Sequence, residues 1–193
     1  MELLPLAFTS GWTSGINAYA TVLFLGLLGR FLGVEGIPVG LQRTDVLIVA
    51  SVLTVVEFVA DKIPYIDSIW DGVSTIVRPI AGAVVGALLA GGQGDLVTIT
   101  LASVGGVTAL VSHLVKAGLR LAINTSPEPA SNIGASLAGD LSVAGLTTLA
   151  VLHPVPAAVI AGALLLAGIV LTVAGLSRAR RGWQAIRRWL RPA

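Results

Sequence analysis

Long stretches of this chain contain no Asp, Glu, Lys or Arg, among them Leu3 to Gly29, Pro79 to Gly94 and Leu141 to Ser177. A helix that crosses a bilayer needs about 20 apolar residues. The last stretch is too long for one crossing. His153-Pro154-Val155-Pro156 divides it into two, because proline breaks a helix from within. Such a chain folds with lipid around much of its surface. Composition agrees, with 11% of residues charged against about 25% in a soluble domain.

The pattern predicts an all-α, polytopic transmembrane bundle of six spans, running roughly over 14–31, 44–62, 73–90, 96–123, 133–152 and 155–176. Leu3 to Phe8 reads as a short lead-in or re-entrant piece before the first. Ala18-Tyr19-Ala20 has the form of a signal cleavage site, but no basic residue precedes it, and the segment reads as retained. Residues 1–177 form the transmembrane domain and 178–193 a basic tail. Three spans followed by three admit an inverted repeat, the plan of many secondary transporters.

Orientation follows from lysine and arginine. Six of the twelve basic residues fall between Arg178 and Arg191. They place the C-terminus in the cytoplasm, and six spans bring the N-terminus to the same side. Trp183, Ile186, Trp189 and Leu190 share one face of the tail and its arginines the other. That is an amphipathic interfacial helix suited to anionic lipid, not to nucleic acid.

Rows of small residues allow close helix packing in lipid: Gly82 and Gly86, extended by Ala83 and Ala87; Ala102 and Gly106; Gly168 and Thr172. Such faces also leave room for a homodimer. Gly91-Gly92-Gln93-Gly94 reads as a tight turn.

Ionisable groups within the spans carry the functional signal. A charge at mid-bilayer costs about 2.5–3.5 kcal/mol on insertion scales, so it persists where it is paired, wetted or used. Glu57 and Asp61 are four residues apart and share a helix face, with Lys62 next in sequence and long enough to reach the headgroups. Two carboxylates in low dielectric call for a proton, a cation or a basic side chain. His113, Lys116, Arg120 and Asn124 form a polar stripe, facing the carboxylates of the second span, Asp140 or a watery cavity. Asn132, Ser136 and Asp140 repeat the four-residue spacing, with Lys116 or Arg120 as the natural partner of Asp140. The polar segment from Asn124 to Asn132 contains Pro127, Glu128 and Pro129. It reads as a helix cap or as a cavity-lining loop. Thr13, Ser14 and Asn17 lie on one side of the first span, loosened by Gly11 and Gly15, as in a broken helix. Asp67, Trp70 and Asp71 sit in a segment whose Ile66, Ile69, Trp70 and Val73 suit a short interfacial helix. Arg78-Pro79 opens the third span, with Arg78 as headgroup anchor or carboxylate partner.

Glu57, Asp61, Lys62, His113, Lys116, Arg120, Glu128, Asn132, Asp140 and Asn17 are therefore the candidate transport or binding residues. With no cysteine and two distant histidines, thiolate chemistry is excluded and a zinc site has little support. No cofactor is expected.

Several of these segments resemble a bacterial membrane-protein family known as domain of unknown function 4126. They are Ser14-Gly15-Ile16-Asn17-Ala18-Tyr19, the run Glu57 to Pro64, Asp67, Trp70-Asp71, Arg78-Pro79 and Ser126-Pro127-Glu128-Pro129 with Asn132. The resemblance implies a multi-pass protein of the inner membrane and brings no activity with it. A shorter likeness, to the Glu-x-Gly-Asp-Lys-Thr/Ser motif of a cation-exchanger family, breaks down at three points. Glu57 and Asp61 are one residue further apart, Ala60 replaces glycine and Ile63 the hydroxyl residue. That family's metal site is not carried over.

These features point to a small secondary transporter or permease for an ion or small charged solute. The alternatives are a lipid-headgroup-handling protein or enzyme, although no hydrolase or phosphotransferase motif is present, and a non-catalytic membrane scaffold.

Overall fold

The computed structural model describes residues 2–63, 66–123 and 129–189; the side chains of 68, 122, 129, 130, 132 and 179–189 lie outside the description. The described residues form seven α-helices and no strand: α1 (Leu3–Ile16), α2 (Ala18–Leu32), α3 (Thr44–Ala60), α4 (Ile66–Leu89), α5 (Asp95–Ile123), α6 (Pro129–Leu152) and α7 (Pro154–Trp189). A 3-10 turn, Val39–Gln42, precedes α3. In α4, α5, α6 and α7 the apolar segments are long enough to cross a membrane, and α2 is a shorter apolar helix. The protein is a helical membrane bundle.

Three elements differ from the sequence pattern. The lead-in read over Leu3 to Phe8 runs on to Ile16, and the first span, read over 14–31, is a separate helix from Ala18 to Leu32. Asn17 is extended (φ −152°, ψ 101°) and its Oδ1 accepts a hydrogen bond from Ala20 N at 2.9 Å. Asparagine at this position caps a new helix rather than continuing the old one. The third span begins earlier, since α4 runs unbroken from Ile66 with Pro79 inside it. The segment read as a separate interfacial helix is its first two turns. The basic tail also continues α7 without a break to Trp189; its two faces lie outside the described side chains.

Glycine sets the spacing at the centre. A Cβ on Gly11 of α1 would come within 2.5 Å of the Gly105 carbonyl, and one on Gly82 of α4 within 2.6 Å of the same oxygen. Gly86 meets Leu101, Gly15 meets Ala109 and Ser112, Gly118 meets Thr172, and Gly168 meets Val115 just as closely. The small-residue rows are thus packing faces, as their spacing predicts. These contacts also fix direction. Residues 11 and 15 of α1 match 105 and 109 of α5, so the two run parallel, as do α5 and α7; α4 runs against them.

Near the other end, Leu6 and Ala7 of α1 join Leu25 and Leu28 of α2, Val85 and Leu89 of α4, Leu101, Ala150, Val151 and Ala157 in one apolar cluster. So α1 enters from that end, turns at Asn17, and α2 returns toward it. At about 1.5 Å per residue, neither helix of this hairpin spans 30 Å of hydrocarbon. The first residues of α1 and the last of α7 then lie at opposite ends of the bundle.

Replacing Gly105 with Leu should cost about 3 kcal/mol, the upper range for overpacking, read as a fall in unfolding temperature. Gly145→Ala, where a Cβ meets nothing within 4 Å, should stay within about 0.5 kcal/mol of the parent.

Candidate functional site

The α1–α2 hairpin ends beside a buried network built from α3, α4 and α5. Glu57 and Asp61 lie one helical turn apart at the end of α3 and turn their carboxylates inward. From α5, Lys116 and Arg120 are also one turn apart. From α4, Asp67, Asp71, Thr75 and Arg78 recur at spacings of four, four and three, so they too form one stripe.

The groups close into a ring of alternating charge. Arg120 Nη1 donates to Asp71 Oδ2 at 2.9 Å, and its Nη2 lies 2.8 Å from Asp61 Oδ2. Lys116 Nζ donates to that same Asp61 oxygen at 2.7 Å and lies 3.8 Å from Glu57 Oε1. Arg78 Nη2 donates to Glu57 Oε1 at 2.5 Å, and Arg78 Nη1 lies 3.5 Å from Asp71 Oδ1. Asp67 adds a fourth carboxylate, 4.0 Å from Arg120 Nε. Glu57, Asp61 and Arg78 are each 1% exposed, which forbids leaving any of them unpaired.

His113 completes the core. Its Nδ1 lies 2.6 Å from Arg78 Nη1 and its Nε2 2.9 Å from Thr75 Oγ1. Arginine only donates, so Nδ1 accepts. The Thr75 hydroxyl donates to Asp71 O at 2.8 Å, so its oxygen takes the Nε2 proton. This geometry assigns the neutral tautomer with hydrogen on Nε2. The described network then holds four carboxylates and three cations.

The helix break contributes its own polar atoms. Lys116 Nζ donates to Ile16 O at 2.8 Å and Arg78 Nη1 to Gly15 O at 3.3 Å. These are the terminal carbonyls of α1, where the helix dipole is negative and favours cations. Among the described residues, Ser14 Oγ, Asn17 Nδ2, Glu57 Oε2 and Arg78 Nε are buried and meet no hydrogen-bond partner. Buried polar atoms are paired nine times in ten or more, so such a concentration marks a special site.

Six sequence candidates meet here: Glu57, Asp61, His113, Lys116, Arg120 and Asn17. Lys62 and Asp140 form a separate pair at 3.6 Å, and Lys62 Nζ also donates to Phe58 O at 2.9 Å and to Ser136 Oγ at 3.4 Å. Asp140 is thus served by Lys62, not by Lys116 or Arg120, and Lys62 reaches across to α6 instead of out to headgroups. Glu128 and the side chain of Asn132 lie outside the described residues. Three members were absent from the candidate set: Arg78, Asp67 and Asp71. Among the described residues no group of three His, Cys, Asp or Glu is arranged to hold a metal ion.

The family described as Domain of unknown function (DUF4126) matches residues 4–174. The chain belongs to this family. No curated protein and no solved structure matches it. The whole network falls inside the DUF4126 segment, as do both helices of the hairpin, so the site belongs to the domain itself rather than to the basic tail.

Removing one partner of a buried pair strands the other charge. Glu57→Leu alone should lose about 3–5 kcal/mol in denaturant unfolding. Glu57→Leu with Arg78→Leu keeps the balance of charge and should recover at least about 2 kcal/mol of that loss, as expected for coupled neighbours. Simply additive losses would show that the pair is not coupled.

Proposed function

We propose that this DUF4126 protein is a small secondary transporter or permease that moves a proton or another small charged solute past the buried network. The observation that carries this reading is the ring of ionisable side chains at the tip of a re-entrant helix hairpin. A structural ion pair needs two groups. Here seven charges from three helices surround the broken end of a fourth. Discontinuous helices whose termini meet charged groups inside the membrane are a recurring arrangement at transport sites.

Electrostatics suggests how such a site works. α3 sends few apolar side chains inward; its buried residues are Leu47, Ala50, Glu57 and Ala60. Its last turns are therefore attached chiefly through Glu57, Asp61 and Lys62. A proton added to Glu57 or Asp61 weakens that attachment, and an arriving cation competes with Lys116 or Arg78 for the same oxygens. Either event favours movement of α3 relative to the glycine-packed α1–α4–α5 core. Proton occupancy and helix position are thereby linked, which is the minimum that coupling requires.

This reading puts the network end of the bundle at the cytoplasmic side of a bacterial inner membrane, and the excess of arginine in the segment from Arg178 onward supports it. Anionic lipid is the natural partner of that segment.

Proteoliposomes carrying an internal pH indicator test the reading. The parent protein should dissipate an imposed ion or pH gradient. The charge-balanced Glu57→Gln/Arg78→Met variant should do so at least tenfold more slowly while still folded, and Asp140→Asn should also slow it. Flux equal to the parent in both variants, or no flux by the parent under proton, sodium and potassium gradients with and without an added organic anion, would remove the proposal.

A further inference from the structure

Beside the ring lies a cavity of about 330 Å³ between α1, α5, α6 and α7. It exists because α5 and α6 barely touch, while both pack on their other neighbours. Its walls are almost wholly apolar, with Trp12, Ile16, Leu119 and Leu165 among them. Leu164 and Leu171 also line it and are 43% and 60% exposed, so the cavity opens between helices toward the bilayer. Ligand sites typically measure about 300–1,000 Å³, with apolar walls and a few placed polar groups. A dry apolar void of about half this size already binds benzene.

The polar groups here are not random. Lys116 and Arg120 reach the cavity, with Ser136 and Ser142 opposite. None of the ring carboxylates lines it. A ligand inside therefore meets the cationic side of the ring. Both cations are held from behind by the same carboxylate, Asp61, at 2.7 and 2.8 Å.

We infer that this cavity binds an amphipathic anion, an apolar body bearing one acidic head, and that binding takes up a proton on the ring. The inference rests on the reading of the ring as a transport site and names the solute class. The acidic head sits at Lys116 and Arg120 and the apolar body lies along Trp12 and Leu165. While all four carboxylates are ionised, the ring of three cations already carries one excess negative charge, and an incoming anion adds a second in low dielectric. A proton on Asp61 turns its carboxylate into a neutral acid and removes the counter-charge that Lys116 and Arg120 share, so the ligand's acidic head replaces it. One proton enters as one anion binds, so the net charge of the site is unchanged.

Every element around Asp61 bears on this exchange. Lys116 and Arg120 approach from α5, Glu57 lies one turn back on α3, and Asp67 and Asp71 reach it through Arg120 from α4. The Ile16 carbonyl shares Lys116 from α1, and Asp140 holds Lys62 from α6. Uptake of a proton with the anion means that affinity rises as pH falls, by up to about tenfold per pH unit for one fully linked proton.

The full-length protein in nanodiscs, with Trp70, Trp183 and Trp189 changed to Phe, leaves Trp12 as the reporter. Decanesulfonate keeps its charge at every pH used; decanol and decyltrimethylammonium supply the neutral and cationic controls. Saturable quenching of Trp12 by decanesulfonate is expected, at least tenfold tighter at pH 6 than at pH 8, with close to one proton taken up per site in weak buffer. Ala138→Phe and Ala167→Phe, which fill the cavity from its open side, should each weaken it at least tenfold.

Equal binding of decanol, preference for the cation, or binding with no proton uptake would overturn the inference. So would the absence of saturable quenching. Any of these beside a Glu57-dependent flux would leave the transport reading standing and this assignment rejected. Proton-linked binding with no flux in liposomes would reject transport and keep the site.

Discussion

A charge in hydrocarbon needs an opposite charge within reach, and the architecture is arranged around that requirement. Asp61 is the point where it is met most tightly. One carboxylate at the end of α3 holds Lys116 and Arg120 together, and those two anchor α5 to α3, to α4 through Asp71, and to the end of α1 through the Ile16 carbonyl. The glycine contacts bring the backbones of α1, α4 and α5 close enough for the ring to close. The two devices divide the work: glycine packing holds the centre of the bundle, and ion pairs hold its network end.

This division makes the structure uneven in a useful way. The α1–α4–α5 core is close-packed and has little freedom to move. The network end of α3 has few apolar contacts and is retained by groups whose charge depends on protons or ions. A buried pair is sensitive to the loss of either partner while contributing little net stability against apolar replacements. The apolar cavity lies on the far side of Lys116 and Arg120, where the proposed ligand would meet them.

Much of this was legible in the chain. His113, Lys116 and Arg120 recur at helical spacing on an otherwise apolar segment, and the structure turns that stripe toward Glu57 and Asp61, as its chemistry demands. Thr13, Ser14 and Asn17 hinted at the broken helix. What stayed hidden was that the chain turns back there, because a capping asparagine marks a new helix without giving its direction. Arg78 is the carboxylate partner that was one of its two readings, whereas Asp67 and Asp71 were misplaced for a specific reason. Their polar stripe runs beside Ile66, Ile69, Trp70 and Val73, and periodicity cannot tell a face turned to headgroups from one turned to buried charge. Pro79 reinforced the error, since proline favours the first turn of a helix, whereas here it lies in mid-helix. The repeat of Asp67, Asp71, Thr75 and Arg78 along one face was the signal available. Partners across helices, such as Lys62 with Asp140, depend on tertiary packing that spacing alone does not reveal.

The decisive measurement is carbon–nitrogen dipolar recoupling by solid-state NMR on the labelled protein in lipid bilayers. A closed ring requires direct contacts from the Asp61 carboxyl carbon to both the Lys116 ammonium and the Arg120 guanidinium, together with one from Glu57 to Arg78. Coupling at all three would establish the buried charge ring; an Asp61 carboxyl that couples to neither cation would contradict it.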